Sequence, residues 1–521
     1  MSLKIFNTLS RSKEEFNPHH EGHVGMYVCG PTVYGHSHIG HAKSYVSFDV
    51  IVRYLRYRGY KVTYVQNITD VGHLLGETNE GEDRILKQSR LEHKHPMEIA
   101  ELYTRSYFED MDALGVIRPD ISPRATGHII EQIEIIKKLI EKGFAYEANG
   151  SVYFDVSKDK DYGKLSGRSV EEAEAGTRVE VKSEKRHPND FALWKKAEPE
   201  HIMQWPSPWG LGFPGWHVEC SAMSTKYLGQ PFDIHGGGMD NQFPHHECEI
   251  AQSECATGKP FVKYWIHNNL VTVDGQKMSK SLGNVTLLKD LSQKYDPLVV
   301  RFFILQSHYR STLDFSNEAL EGAKRGWEKL INTVRNIRQE LGKRSGPRFE
   351  VGGSSQPETS APEAHQLDES PTTRWVDRPV GSHRPLAENL KPDALSKFRS
   401  DFLDAMNDDF NTAQAIAVLF DLSREINTLL SEDKLDAKQL QVADALYTEL
   451  GGTILGITPE QLDPQGSSDG LDAKLMELII NLRAEARAQK LFSLSDKIRD
   501  GLEKLGIVLE DKKDGTTWRR D

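Results

Sequence analysis

The chain has 521 residues, of which 38% are hydrophobic and 27% charged, and its 65 lysines and arginines against 77 aspartates and glutamates leave a net charge of −12. At about 150 residues per domain this length asks for roughly three domains, which excludes a lone binding module; the composition excludes a largely disordered chain, and the acidic balance excludes a globally basic nucleic-acid binder while leaving room for a local basic face. No stretch approaches the ~18 apolar residues of a membrane span, the start Met1-Ser2-Leu3-Lys4 turns polar too early for a signal peptide, and the four cysteines contain no C-x-x-C pair, so a cytoplasmic protein with no membrane partner is expected.

Val24–Cys29 reads as a strand, followed by a turn through Gly30-Pro31 and a helix from near His38. In that helix Ala42, Tyr45, Phe48, Val52 and Leu55 recur at spacings of three or four and define one buried face. Gly59 suits the left-handed stop of the helix, and Lys61–Ile68 reads as the next strand. Together they make a strand-helix-strand unit of a parallel sheet, whose ligands bind beyond the carboxyl ends of its strands; Cys29, His38 and the turn Asn67-Ile68-Thr69-Asp70 fall there. From about Arg118 to Gly215 the pattern loosens into a helix near Ile129–Lys142, a strand Ser151–Val156 and loops rich in Trp and Pro, which reads as an insertion. Asp233–Gly238 then reads as a strand ending in a flexible turn, His245–Cys255 as a helix, Trp265–Val273 as strand-like, and Lys277-Met278-Ser279-Lys280-Ser281 as a basic loop.

After Asp314 the character becomes helical, with Trp327, Leu330, Ile331, Val334, Ile337 and Leu341 on one face. Gly346–Pro385, dense in Gly, Pro and Ser, has no core-forming pattern and reads as a linker or disordered loop. Helices resume at Phe398–Met406 and Thr412–Leu430. Beyond a polar break at Asp463–Gly470 comes a small tail: a helix Leu475–Leu491 carrying Arg483, Arg487 and Lys490, a helix Ser495–Leu505, and a hairpin of Ile507–Leu509 with Thr516–Trp518 turned at Asp514-Gly515.

Three groups of residues carry chemistry. His36-Ser37-His38-Ile39-Gly40-His41 opens the first helix, where N–H groups and the positive dipole end favour phosphate; His38 and His41 lie three apart, and Gly40 leaves room for a nucleotide base. Lys277 and Lys280 sit on a glycine-flanked loop and are the residue type that neutralises a pyrophosphate leaving group. No Gly-Lys pair in the chain is followed by Ser or Thr, so there is no Walker A alternative. Cys29, Cys220, His245 and Glu249 are donors of the type zinc takes, and His245 and Glu249 are four apart on one helical face. Taken singly each group has an ordinary reading as well: a histidine cluster on a helix cap, a solvated basic loop, small buried thiols.

The strings Tyr27-Val28-Cys29-Gly30-Pro31-Thr32-Val33-Tyr34, His38-Ile39-Gly40-His41, Gly215-Trp216-His217-Val218-Glu219-Cys220-Ser221-Ala222-Met223, Asp233-Ile234-His235-Gly236-Gly237-Gly238, Phe243-Pro244-His245-His246-Glu247 and Lys277-Met278-Ser279-Lys280-Ser281 follow one another over the first three-fifths of the chain. In that order they make the chain resemble the class I cysteinyl-tRNA synthetases. The likeness continues through Asp408-Asp409-Phe410-Asn411-Thr412 and the terminal stretches Gly506–Asp511 and Gly515–Arg520, and only Gly346–Pro385 lacks a counterpart.

The resemblance implies an α/β protein with a Rossmann-like, doubly wound catalytic domain over residues 1–315, interrupted by an insertion at about 118–215. An all-α, tRNA-binding helical bundle over 316–462 would follow, with the flexible loop at 346–385, and then a small mixed α/β anticodon-binding domain over 463–521. The implied reaction activates L-cysteine with ATP to cysteinyl-adenylate and passes it to the 3′ terminal adenosine of tRNA(Cys), in a monomer that uses Mg2+ with ATP and one Zn2+ per chain. By the same resemblance Cys29, Cys220, His245 and Glu249 hold the zinc at the bottom of the amino-acid pocket, where a metal that accepts the substrate thiolate rewards sulfur over the hydroxyl of serine. Thr69, Trp216 and His235 would line the pocket, Gly40, His38, His41 and Lys280 would bind ATP, and His38, His41, Lys277 and Lys280 would stabilise the phosphates as they react. Two positions depart from the family pattern: Cys248 replaces an expected Asn and offers a competing thiol beside Glu249, and His73 replaces an acidic residue. The alternatives are a cysteine:aminosugar ligase of the mycothiol pathway, which shares the zinc and ATP sites but lacks the helical extension, a non-catalytic synthetase-like RNA-binding protein, and another nucleotidyltransferase with the same histidine motif.

Overall fold

Runs of apolar and β-branched residues make His23–Val28 and Lys61–Gln66 strands, and in the computed structural model they pair in parallel from His23↔Lys61 to Val28↔Gln66. The structure describes residues 2–71, 83–168, 184–199, 201–278, 283–344, 394–462, 471–489, 491–512 and 515–520; His73, Lys280, Lys490, Asp514 and the whole of Gly346–Pro385 lie outside the described residues. Phe232–Gly238 and Val262–Asn268 complete a four-stranded parallel sheet in the spatial order Val262–Asn268, Phe232–Gly238, His23–Val28, Lys61–Gln66. The helix Ile39–Tyr57 carries the chain from one central strand to one edge, and Glu247–Thr257 carries it from the other central strand to the opposite edge. The winding therefore reverses between His23–Val28 and Phe232–Gly238, and a crevice is expected where their carboxyl ends meet. This is the doubly wound sheet that the family resemblance implies, built on the strand-helix-strand unit read from the sequence pattern.

The predicted apolar face of Ile39–Tyr57, Ala42, Tyr45, Phe48, Val52 and Leu55, is buried throughout, and Val46, Val50, Ile51 and Tyr54 are buried as well. Other segments wrap this helix, Pro297–Leu305 among them, so it is covered on more than its sheet side. Ile121 and Arg124 bridge in parallel to Val65 and Ile68, so the chain still runs along the nucleotide sheet there. It then leaves as the helix Ile129–Glu141 and a five-stranded antiparallel sheet. Three of that sheet's strands, Phe191–Lys196, Trp205–Ser207 and Gly210–Pro214, occupy the stretch read from sequence as Trp- and Pro-rich loop. The first shows no alternation because Phe191 to Trp194 are all buried, and Pro206 is accommodated because Trp205–Ser207 is an edge strand.

Val271–Val273 turns back at Asp274 and Gly275, both with positive φ, into the two-residue strand Gln276–Lys277, a tight hairpin of the kind that Asp-Gly favours. Val271–Val273 also pairs in parallel with Leu313–Phe315, after which the chain becomes helical. Asn317–Arg344, Ala394–Asn407, Thr412–Ser431 and Ala437–Leu446 form the bundle, with Leu330, Ile331, Val334 and Ile337 buried as their spacing requires. At the turn before Thr412 the buried Asp409 accepts hydrogen bonds from Phe6 N (2.8 Å), Tyr309 Oη (2.7 Å) and Arg310 Nε (2.7 Å). That one carboxylate ties the bundle to the first strand and to the segment preceding Leu313.

By its internal contacts the chain divides into Met1–Thr458 and Pro459–Asp521. The second unit contains the helices Leu471–Ala488 and Phe492–Glu503 and an antiparallel hairpin, Ile507–Lys512 with Gly515–Arg520, in which Leu509 faces Trp518. Arg483 is buried there, so it is not part of a solvated basic side. Among the described residues no helix is long and apolar enough to cross a membrane.

Candidate functional site

Cys29 continues the ladder of its strand by donating its N–H to Gly236 O (3.0 Å). Gly30 follows because only a glycine fits: a Cβ there would stand 1.6 Å from Asn67 O. Cys220 lies one turn into the helix Trp216–Leu228, His245 in the irregular turn Gln242–His246, and Glu249 at the start of Glu247–Thr257. These separate elements converge at the switch point of the sheet. One ligand atom from each of Cys29, Cys220, His245 and Glu249 lies within 4.8 Å of the others, and all four residues are buried. Two sulfurs, one imidazole and one carboxylate, enclosed in this way, fit zinc by donor type. Buried polar capacity also remains beside them, since Glu219 Oε1 and His235 Nδ1 have no partner among the described residues.

Glu249 holds the cluster together. Its Oε2 bonds His235 Nε2 at 2.8 Å, and its Oε1 lies 3.0 Å from His245 Nε2. Burial alone would raise its pKa, but His235 and His245 hold it down to about 2. Burial likewise works against the His245 imidazolium, yet Glu249 and Cys220 push it up to about 10. Between the two thiols burial raises Cys29, whose S–H is shared with Cys220, while Cys220 is lowered against its own burial by Cys29 and His245. Thiols and an imidazole held this close to a carboxylate carry protons that a binding divalent cation displaces.

The sequence-predicted pocket residues surround this cluster. Trp216 lies over His245 with ring centroids 4.4 Å apart, and Thr69 donates its hydroxyl to Glu219 Oε2 (2.9 Å) and is itself buried. His235 is buried and stacked on Trp265 at 4.6 Å, so it orients Glu249. Cys248 stands apart: its sulfur lies 3.6 Å from Tyr162 Oη, among Phe191, Val218 and Ala251, and it joins neither grouping of possible metal donors. Sequence reasoning missed the surrounding histidines. His246 Nε2 lies 3.2 Å from Cys29 Sγ, and a second possible donor set is Cys29, His235, His246 and Glu249. His217 Nδ1 meets His245 Nδ1 at 2.9 Å, and His246 Nδ1 meets His267 Nε2 at 2.8 Å. The paired His245-His246 and the His217 three residues before Cys220 were the available signals.

At the head of the first helix two histidines cap each other. His38 is the N-cap; its Nδ1 accepts from His41 N and His41 Nδ1 accepts from His38 N, both at 3.3 Å, with the rings stacked 3.8 Å apart. An Nδ1 that accepts carries no proton, so each neutral ring bears its hydrogen on Nε2 and presents an N–H donor away from the helix. Gly40 is required between them: a Cβ would lie 3.0 Å from the His38 ring and 3.0 Å from the Met278 methyl. That contact brings the lysine-bearing loop against the histidine pair. Lys277 is exposed on the hairpin, and Lys280 lies outside the described residues. By the ATP-binding role that the resemblance implies for His38, Gly40 and His41, Gly40→Ala should displace both neighbours by a few tenths of an ångström and weaken ATP use by about tenfold, with cysteine affinity unchanged. Steady-state KM values for the two substrates in pyrophosphate exchange check this, and an unaltered KM for ATP contradicts it.

Comparison with known proteins places this geometry in context. Residues 15–325 match the model of the class I (C) tRNA synthetase catalytic domain, and residues 401–458 match the DALR domain. The chain is 53% identical to the cysteine–tRNA ligase of Chlorobaculum tepidum over 528 aligned positions, covering 100% of this chain and 99% of that one. It is 49% identical to that of Deinococcus radiodurans, with 100% and 97% covered, and 48% identical to that of Thermus thermophilus, with 100% and 99% covered. Among solved structures, a Mycobacterium tuberculosis methionyl-tRNA synthetase bound by methionyl-adenylate superposes with a TM-score of 0.55 at 14% identity, over 84% of this chain and 92% of that one. That likeness is one of fold.

Proposed function

The chain belongs to the class I cysteine–tRNA ligases, and from that premise we propose how its residues divide the work of joining cysteine to tRNA(Cys) at the expense of ATP. The observation that carries the reading is the buried Cys29, Cys220, His245 and Glu249 cluster at the switch point of the sheet that also carries the double-histidine cap. Those four residues would hold a zinc ion, which supplies a Lewis-acidic partner for the substrate thiolate that serine cannot match. His235 keeps Glu249 ionised and oriented, His217 fixes the ring of His245, and Trp216 covers the imidazole from the pocket side. Thr69 and Glu219 border the same space with polar atoms.

The His38 and His41 Nε2–H donors, fixed in tautomer by their mutual caps, meet the ATP phosphates while the cysteine carboxylate attacks the α-phosphorus. Lys277 and Lys280, with Mg2+, take up the charge that develops on pyrophosphate. The full-length relatives leave the aminosugar-ligase and non-catalytic alternatives without support, because the match extends through the bundle and the tail. Arginines and lysines of the bundle and an aromatic such as Trp518 suit an RNA with unpaired bases. We assign the protein to the cytoplasm as a monomer.

The purified protein with ATP and Mg2+ should transfer labelled cysteine to unfractionated bacterial tRNA and leave serine untransferred. Exchange of pyrophosphate with cysteine but no charged tRNA would restore the aminosugar-ligase reading. Failure of both would remove the catalytic one.

A further inference from the structure

Lys43 lies in the helix Ile39–Tyr57 two residues beyond His41, and it is buried, 1% exposed. Its ammonium bonds two backbone carbonyls, Leu270 O at 3.2 Å and Ser311 O at close range, and among the described residues it has no carboxylate partner. Burial pushes the group down to about 8. A buried cation held by carbonyls alone is costly, and a methionine of similar length would fill the same space without that cost. What the ammonium holds explains its presence.

Leu270 immediately precedes the strand Val271–Val273, and Ser311 lies two residues before Leu313–Phe315, the strand paired with it in parallel. Val271–Val273 leads through the hairpin to Lys277 and Met278, and the chain returns at Thr286 and Leu287 to the head of the histidine-bearing helix. That second root is held by the same short segment of chain: Ile39 N donates to Thr286 O (3.0 Å), Leu288 N donates to Ser37 O (2.9 Å), and His38 bridges Leu287. Ser44 adds a hydrogen bond to Asn268 Oδ1 (2.9 Å) just before the first root. Ser37 to Ser44 thus grips both ends of the lysine-bearing loop. The return end is held through backbone groups, and the outgoing end through the side chains of Lys43 and Ser44.

We propose that Lys43 is a positioning residue for adenylate formation, whose ammonium pins the root of the hairpin that carries Lys277 to the histidine-bearing helix and so sets how Lys277 meets ATP. The proposal rests on the synthetase reading above. With Lys43 in place, the strand that leads to Lys277 starts from a root fixed relative to His38 and His41, and little of its orientation has to be ordered during the reaction. Without it, the helix holds that root through Ser44, while Asn269 still bonds Tyr309 O and Arg310 O (both 2.9 Å). Lys43 is enclosed among backbone carbonyls and belongs to neither grouping of possible metal donors, so its effect should fall on ATP and spare cysteine.

The test is Lys43→Met, read by pyrophosphate exchange with each substrate varied, together with zinc content and hydrogen exchange of the 271–286 amides. The expected result is a 10- to 100-fold loss in kcat/KM for ATP, KM for cysteine and zinc content within about twofold of the parent, and faster exchange in 271–286 but not in Ile39–Tyr57. Lys43→Arg, which keeps donors for both carbonyls, should recover most of the loss. If Lys43→Met does not accumulate as folded protein, Lys43→Gln, with one shorter donor, is read in its place with the same expectations. Equal losses for ATP and cysteine, or an unchanged KM and kcat for ATP, overturn the positioning role. A parent enzyme with no cysteine-dependent exchange overturns the synthetase reading instead, so the two failures are distinguishable.

Discussion

Cys220→Ser is expected to lose zinc and cysteine activation together. A serine hydroxyl is not ionised at neutral pH, so the substitution removes both a soft donor and the acceptor toward which the Cys29 thiol and His245 are directed. Outer-shell partners of a metal ligand typically contribute 10- to 100-fold in affinity, and removing a ligand itself should cost about 100-fold or more. Cysteine-dependent pyrophosphate exchange should fall on the order of 10³-fold, because the site then treats the substrate sulfur as any small side chain. ATP affinity should hold, since Gly40, His38 and His41 belong to neither grouping of possible metal donors. Metal analysis of the purified variant beside exchange kinetics makes the check. Full zinc retention would contradict Cys220 as a ligand and direct attention to His235 and His246, which with Cys29 and Glu249 form the second donor set. Cys248 is not the substitute that its place in the sequence suggests: it lies among Tyr162, Phe191 and Val218, and Cys248→Ser should keep its metal.

The parallel sheet was legible because its strands are apolar runs ending at residues with chemistry, and because the helix between two of them has a regular buried spacing. Both signals weaken elsewhere for identifiable reasons. Phe191 to Trp194 is buried on both faces, so no alternation marks it as a strand. Lys4–Asn7 and Ser12–Glu15 are four-residue strands, too short for a pattern to emerge. Arg84–Glu92 and Pro96–Ala113 carry Asp83 and His95 at their N-caps and Pro96 at a first helical position, signals that were present and not used. In the site, the residue types of the four expected zinc donors pointed to a metal, but their convergence depends on three segments more than 190 residues apart at the extremes, which only the family resemblance supplied. The His245-His246 pair and His217 three residues before Cys220 were there to be read, but which His is buried against which is set by the fold and not by linear spacing. The mutual capping of His38 and His41 could be foreseen only as a three-residue interval; which nitrogen accepts follows from the backbone at the helix start.

Asp49→Asn should destabilise the first unit by about 3–5 kcal/mol at neutral pH, the usual consequence of removing one partner from a buried ion pair. Asp49 and Arg301 are both fully buried and paired, and Asp49 also accepts from Arg53 Nε (2.8 Å) and Ile117 N (2.7 Å). Arg301 in turn donates to Leu455 O (2.8 Å) and Leu114 O (3.2 Å), so one charge pair joins the histidine-bearing helix, the helix Pro297–Leu305 and the end of the bundle. Asparagine is nearly isosteric but leaves two guanidinium groups without their counter-charge. Burial alone would raise the Asp49 carboxyl, yet Arg301 and Arg53 hold it below its ordinary value. The folded pKa lies below the unfolded one, so this contribution is complete above the unfolded value of ~3.9 and is lost as pH falls through the depressed folded value. The gap between parent and variant in denaturation midpoint should therefore stay constant from neutrality down to about pH 4 and narrow only below it. A double variant, Asp49→Leu with Arg301→Met, should recover part of the loss by replacing the buried pair with apolar packing. If Asp49→Asn matches the parent at pH 7, the pair contributes nothing and the joint is held by packing alone. If the double variant is no better than Asp49→Asn, the three carbonyl and amide contacts that the pair organises matter more than its charge.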